Sequence, residues 1–125
     1  MFKSRTKTIH RERILRAAIW LRDGGRDRAT DHEVHKNHFD WHRRGEVCHI
    51  KSKGSYPELK YEESNCILLS AYHHYQSDFR GGHRLKILGD DANGPITFVM
   101  TDKHGAVLWE RTSSPPHLAV EKSSD

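Results

Sequence analysis

A chain of 125 residues, 34% hydrophobic and 30% charged, is long enough for one domain with a small core and an extensive surface. No apolar run approaches the roughly 20 residues of a membrane span, and the basic N-terminus lacks an apolar signal core, so neither a membrane protein nor a secreted one is expected. The formal net charge of +4, with eleven histidines that add positive charge below neutral pH, favours a polyanionic partner such as nucleic acid.

An amphipathic helix is predicted from about Thr8 to Arg22, after a frayed basic arm, and Gly24-Gly25 would end it. Its apolar side chains recur at i, i+4 and i+7, namely Ile14, Ala18 and Leu21, with Leu15 and Ile19 widening the stripe. The arginines on the rest of its surface suit either a solvated basic face or contacts to phosphate groups.

Residues 26–45 contain a histidine-rich tract without a clear secondary structure. Its candidate metal ligands are Asp31, His32, His35, His38, Asp40 and His42. HxxH and HxxxH spacings of this kind occur in zinc sites, but without an ordered helix to present them the tract is a polar surface segment. Phe39 and Trp41 are expected to hold the segment against the core.

The central stretch, residues 46–78, predicts a strand, a polar loop, a second strand and a helix. Both apolar runs, 46–50 and 65–70, are too short for helices and are rich in β-branched residues or leucine. In the helix, His74 and Asp78 lie at i and i+4 on one face, a spacing that suits a divalent cation. The loop interleaves lysines with tyrosines, which fits a nucleic-acid surface or an ordinary solvated loop.

The C-terminal part predicts an antiparallel β meander. Strands are expected at residues 84–88, 96–101 and 106–109, because turn-forming residues separate these runs. The chain as a whole is therefore predicted to be a single α+β domain. Its parts would be a domain at residues 1–112, with a core at 46–79 and a β extension at 84–111, followed by a flexible tail at 113–125.

The central stretch resembles the HNH nuclease family, whose pattern is Glu-x-(His or Asp)-His, a loop, Asn, and a His nine residues later. The matching residues are Glu46-Val47-Cys48-His49, Asn65 and His74, with Asp78 four residues beyond. The likeness covers about thirty-three residues and extends weakly upstream through residues 20–26. It implies a ββα-metal core, in which two short strands and a helix surround one divalent cation.

Three departures from the family pattern change what this resemblance implies. The positions of the two CxxC pairs that hold a structural zinc in many members are occupied here by Asp27, Thr30, Ser70 and His73. We therefore expect no structural zinc, and support from the N-terminal helix and the meander instead. Cys48 stands where the family usually has a His or Asp metal ligand. Either the Cys48 thiolate binds the cation, which would favour zinc over magnesium, or Cys48 only fills space and the cation is held by His74, Asp78 and water. Asp78 replaces a frequent histidine, a mild change for Mg²⁺ or Mn²⁺.

The resemblance implies a metal-dependent DNA endonuclease that leaves 5′-phosphate ends. His49 would be the general base, and the metal ligands would be His74, Asp78 and, in one alternative, Cys48, around a single Mg²⁺, Mn²⁺ or Zn²⁺. Asn65 would hold the loop to the strand that carries His49, and Glu46 would orient a ligand or a water. Candidate DNA contacts are Arg43, Arg44, Lys51, Lys53, Arg80 and Arg84.

Two other interpretations remain open. A catalytically inactive nucleic-acid-binding domain would keep the scaffold and is favoured by Cys48, whereas His49, Asn65 and His74 favour the enzyme. A histidine-rich metal-binding or interaction module would centre on residues 32–42. With only two cysteines, a reduced cytoplasmic protein is expected, of bacterial or phage origin if the nuclease interpretation holds, and a homodimer if both DNA strands are cut.

Overall fold

The computed structural model describes residues 2–78 and 81–116, and side chains from residue 7 onwards. Arg80 and residues 117–125 of the predicted tail lie outside this part of the chain. The elements are α1 (Phe2–Arg22), β1 (Gly45–His49), β2 (Cys66–Ser70), α2 (Ala71–Ser77), β3 (Arg84–Leu88), β4 (Ile96–Thr101) and β5 (Val107–Ser113). Within the described residues the protein is thus a small α+β fold with two helices and two antiparallel sheets.

The β1–β2 hairpin leads directly into α2. The strands pair antiparallel from Gly45 opposite Ser70 to His49 opposite Cys66, and β2 is buried along its whole length. The Ser70 hydroxyl accepts a hydrogen bond from the backbone N–H of His73 and caps α2. Since no linker separates β2 from α2, the position of the strand fixes the position of the helix.

The three C-terminal strands form the predicted meander, in the order β3-β4-β5. β5 runs on to Ser113, four residues beyond the predicted end, and Pro115 after it is fully buried. The inner face of the meander packs on the hairpin through one apolar cluster. Its larger members are Cys48, Ile67, Leu69, Leu85, Ile96, Phe98 and Met100.

Helix α1 differs from the prediction in its start and in its buried face. It begins at Phe2 and not near Thr8, so the expected basic arm is helical where described. Leu15 and Ile19 are buried, while Ile14 and Leu21 are 57% and 83% exposed. The predicted stripe is thus confirmed for Leu15 and Ile19 and was wrong for Ile14 and Leu21, because the packed face continues from Leu15 to the buried Arg22, at i+7.

The outer edge of β2 is paired with carboxylates and not with a strand. Asp23 and Asp27, both buried, accept hydrogen bonds from the backbone N–H groups of Leu68 (2.9 Å) and Ser70 (2.7 Å). Between them, the N–H of Arg28 donates to the carbonyl of Leu68 at 2.9 Å. The segment that follows α1 therefore satisfies a buried sheet edge that would otherwise lack partners.

Two buried arginines neutralise Asp23 and tie this segment to the rest of the chain. Arg22 and Arg28 bind the Asp23 carboxylate at 2.9 and 3.0 Å. Arg22 also donates to the carbonyls of Glu63 and Cys66, and Arg28 to carbonyls of the β3–β4 loop and of Ser113. One ion cluster thus joins α1, β2 and the meander.

Removing one partner of this cluster should be costly. We expect Asp23→Asn to lower the free energy of unfolding by about 3–5 kcal/mol, since it leaves Arg22 and Arg28 buried without their counter-ion. Urea unfolding followed by circular dichroism would measure the change. The exposed Asp90→Asn serves as control and should shift stability by less than about 0.5 kcal/mol. Equal effects of the two substitutions would contradict a central role for the cluster.

Candidate active site

A groove of about 900 Å³ lies where the end of β1, the C-terminal end of α2 and strand β3 meet, and we call it the central groove. Four of the predicted catalytic and metal-binding residues line it: Cys48, His49, His74 and Asp78. Three basic side chains also line it: Lys53, Arg84 and Lys86. The groove thus combines imidazole and carboxylate groups with positive charge, a combination that suits a phosphodiester substrate.

His49 is the last residue of β1, and its ring orientation is set by a backbone carbonyl. Its Nε2 atom lies 2.9 Å from the carbonyl oxygen of Lys60. A carbonyl oxygen can only accept, so Nε2 carries the hydrogen and donates it. In the neutral ring the lone pair therefore belongs to Nδ1, which is the atom able to take up a proton.

Asn65 ties the loop residue before this carbonyl to the residues that follow His49. Its side-chain amide exchanges two hydrogen bonds with the backbone of Lys51, at 2.9 and 3.0 Å, and also donates to the carbonyl of Leu59. Its own carbonyl accepts from Ile50 at 2.8 Å. Asn65 is 3% exposed, so water competes little for these bonds. They hold the loop against the two residues that follow His49.

Glu46 is the partner of His74. The Nδ1 atom of His74 lies 3.0 Å from one carboxylate oxygen of Glu46, and the other oxygen is 3.7 Å from Nε of Arg44. A carboxylate accepts hydrogen bonds, so Nδ1 of His74 donates and Nε2 bears the lone pair of the neutral ring. A metal-binding histidine usually donates the N–H of its other ring nitrogen, the one that does not bind the metal, to a group such as a carboxylate.

Cys48 lies in the apolar cluster and makes a poor ligand. It is buried, with its sulfur 3.7 Å from the hydroxyl of Ser77. Burial, with smaller contributions from the nearby charges of Asp78 and Glu46, raises the pKa of the Cys48 thiol to about 12. Because the Cys48 side chain is enclosed in the apolar cluster, its position fits the space-filling alternative. Cys66, the other free cysteine, is buried in a different apolar cluster, with Leu15 and Ile19.

The remaining donors define which cation the groove fits. Among the described residues, no three His, Cys, Asp or Glu side chains converge on one ion position. The donors left in the central groove are the imidazole of His74 and the carboxylate of Asp78. One nitrogen and one carboxylate suit a hard cation that retains several waters, as Mg²⁺ and Mn²⁺ do, better than a tetrahedral zinc site.

Hydrogen bonds join the four positions that correspond to the family's zinc knuckles. One oxygen of Asp27 accepts from the backbone of Ser70 and from Nδ1 of His73, both at 2.7 Å. Its other oxygen accepts from the backbone N–H groups of Ala29 and Thr30. The Asp27 carboxylate thereby links the turn after α1 to the start of α2. This contact of His73 is an ion pair when its imidazole is protonated.

The candidate DNA contacts divide between two faces. Lys53 and Arg84 line the central groove, where Lys86 joins them. Lys86 is not among the DNA contacts predicted from the sequence. Alternation along a strand could have indicated it, because Lys86 follows Arg84 by two residues in β3 and shares its strand face. Arg44 lines a second groove, between α1 and the start of β1. Nε of Arg43 lies 4.0 Å from the Asp40 carboxylate, and the ammonium of Lys51 lies over the ring of Tyr56. Arg80 falls outside the described residues.

The histidine tract is a surface loop. The rings of His35 and His38 are 5.8 Å apart, and His38 stacks on Phe39 at 4.8 Å. Phe39 is 93% exposed, so the prediction that it holds this loop to the core was wrong. Trp41 does contact Tyr72 and Tyr75 of α2, because the loop backbone docks there and its carbonyl accepts from the N–H of Tyr72.

Neither the family models nor the curated proteins nor the solved structures contain a match for this chain. None of the helices in residues 2–78 and 81–116 is long and apolar enough to cross a membrane. The case for a function therefore rests on the residues and geometry of the grooves.

The hydrogen bonds of Asp27 should make the free energy of unfolding depend on pH in the acid range. Burial alone would raise the pKa of Asp27, but the hydrogen bond and charge of His73 and two backbone N–H groups lower it below 3.8. A lowered folded-state pKa contributes stability that is complete above pH 3.8 and is lost as the pH falls through the lower folded value. We expect Asp27→Asn to cost about 3 kcal/mol at pH 7 and progressively less in acid. Urea unfolding between pH 7 and pH 2 tests this, and a pH-independent difference would contradict it.

Proposed function

We propose that this protein is a metal-dependent DNA endonuclease of the HNH type, which hydrolyses phosphodiester bonds with His49 as general base and one divalent cation held by His74 and Asp78. The observation that carries the proposal is that these three residues line one groove together with basic residues. Their spacing along the chain matches the pattern of the family, and their meeting in one groove is independent of that pattern.

The proposed reaction begins with a water molecule between His49 and the phosphorus. Nδ1 of His49 takes a proton from this water, which then attacks the phosphorus, and an imidazole suits the task because it titrates near neutral pH. When bound, Mg²⁺ or Mn²⁺ supplies positive charge for the phosphate and for the departing 3′ oxygen.

Other residues orient the groups that react. The carbonyl of Lys60 fixes the ring of His49, and the Asn65 amide holds the backbone next to it. The entropy of orienting the base is therefore already lost before the substrate binds. Glu46 orients His74 through Nδ1. Lys53, Arg84 and Lys86 bind the phosphate backbone, which positions DNA without reading its sequence.

Nucleic-acid binding without catalysis is the second candidate. The observation that favours it is Cys48, which occupies a ligand position of the family pattern but is buried in the apolar cluster. Both candidates require binding that weakens steeply with salt, because both use the same basic grooves. They differ only in whether a cation produces cuts.

Cleavage of supercoiled plasmid DNA tests the proposal. Nicking is expected with Mg²⁺ or Mn²⁺ and should stop when a chelator is added. His49→Ala should lower the rate by about 10²–10⁴-fold, because the proton acceptor is lost. His74→Ala should also abolish cleavage, since it removes a metal ligand.

The matched control is His104→Ala, in the exposed β4–β5 turn, which should cleave like the unchanged protein. DNA binding that persists with no cut under Mg²⁺, Mn²⁺ or Zn²⁺ would overturn the enzyme and support the second candidate. Cleavage equal in the His49→Ala and His104→Ala variants would contradict the role of His49 as general base.

Glu46 should matter for metal affinity. We expect Glu46→Gln to weaken Mn²⁺ binding by about 10–100-fold, because an amide orients His74 less firmly and adds no negative charge behind the ring. Calorimetric titration with Mn²⁺ measures this without relying on activity. Glu110→Gln, on an exposed position of β5, is the control. Unchanged Mn²⁺ affinity in Glu46→Gln would contradict the assigned role.

A further inference from the structure

A second groove shares His74 with the central groove. It has a volume of about 550 Å³ and runs between α1 and the start of β1, so we call it the α1 groove. Its polar wall consists of Arg16, Lys36, Asn37, Arg44, Glu46 and His74. His74 lines both grooves, which therefore meet at the proposed metal ligand.

The charges of the α1 groove favour an anion. Arg16, Lys36 and Arg44 contribute three positive charges, and Glu46 contributes one negative charge that already faces His74 and Arg44. Guanidinium groups present N–H donors in a planar fork that matches the oxygens of a phosphate. An acidic groove would instead be expected for a further cation.

Two of these cations are held at the wall by neighbouring groups. Arg44 donates from Nη1 to the carbonyl of His38 at 3.3 Å while Nε faces Glu46. The ammonium of Lys36 lies over the ring of Trp20, 5.6 Å from its centroid. Such contacts reduce the side-chain freedom that is lost when a ligand binds.

Arg16 connects the α1 groove to the proposed catalytic base. It also lines a cleft of about 220 Å³ together with His49 and Lys53. Arg16 and Trp20 are four residues apart in α1 and share one helix face. The cations of the α1 groove are thus continuous with those of the central groove, through Arg16 on one side and His74 on the other.

We propose that the α1 groove binds the backbone phosphates of the same DNA strand that is cut in the central groove, on the opposite side of the scissile phosphate, with Arg16, Lys36 and Arg44 as phosphate ligands. A phosphodiester bound at His74 has chain on both sides, and the two grooves provide a basic path for each. The position of the scissile phosphate rests on the proposed function, whereas the binding of DNA in the α1 groove does not.

Binding measured without cleavage tests this proposal. Fluorescence anisotropy of a labelled DNA duplex, with chelator present, would compare Arg16→Ala/Lys36→Ala with Lys7→Ala/Arg13→Ala. Both double variants remove two exposed positive charges, and Arg13 also lies on α1, but the control residues line neither groove. Melting curves confirm that each variant is folded.

The two double variants should differ in affinity and in salt dependence. The Arg16/Lys36 variant should bind about 10-fold more weakly, and the slope of log affinity against log salt should fall by about 1.8, since each phosphate contact on B-DNA contributes about 0.9. The control should change by less than about threefold. Equal losses in the two variants would overturn the proposal, because they would reflect net charge alone. If polyglutamate displaced the labelled duplex as effectively as unlabelled DNA does, the proposal would also be overturned, in favour of an acidic protein partner.

The outcome separates this proposal from the proposed function. If no cation produces cleavage but the Arg16/Lys36 variant loses affinity, the α1 groove is a DNA site of a binding protein. If plasmid is cut and the two double variants bind alike, the nuclease stands and the α1 groove is not its second subsite. In a protein that cuts, the Arg16/Lys36 variant should raise KM and leave kcat nearly unchanged.

Discussion

Two buried carboxylates, Asp23 and Asp27, hold the outer edge of β2, and the rest of the structure depends on this contact. Each backbone group left unpaired at a buried strand edge costs free energy. The N–H groups at the edge of β2 therefore need acceptors, and the two carboxylates supply them. Buried charge is itself costly, and it persists here because Arg22, Arg28 and His73 surround the two carboxylates. The bonds from Arg28 to backbone carbonyls extend the same cluster into the meander.

The geometry of the candidate site follows from the position of β2. Ser70 ends the strand and caps α2, so His74 is placed one helical turn after a fixed point. β1 pairs with β2 in the register that sets Glu46 beside His74 and leaves His49 at the strand end, next to the loop that Asn65 holds. The groups proposed for catalysis are thus rigidly supported without belonging to the ion cluster.

His74 lies between two basic grooves, and its neighbours connect them. Glu46 touches His74 with one oxygen and faces Arg44 with the other, so the proposed metal ligand and a proposed phosphate ligand share one carboxylate.

The sequence by itself determined the order strand, loop, strand and helix, and the meander, because turn residues and short apolar runs are local signals. It also placed His49 and His74 at an interval that this order brings to the lining of one groove. Only the tertiary structure decided that Cys48 faces the core, since both strand faces of the hairpin carry apolar residues and the meander covers just one of them. The bond from Asp27 to His73, 46 residues apart, and the burial of Arg22 were equally hidden. The physical reason is that periodicity records where apolar side chains recur along the chain, whereas a buried charge is stable only beside a distant partner that folding brings to it.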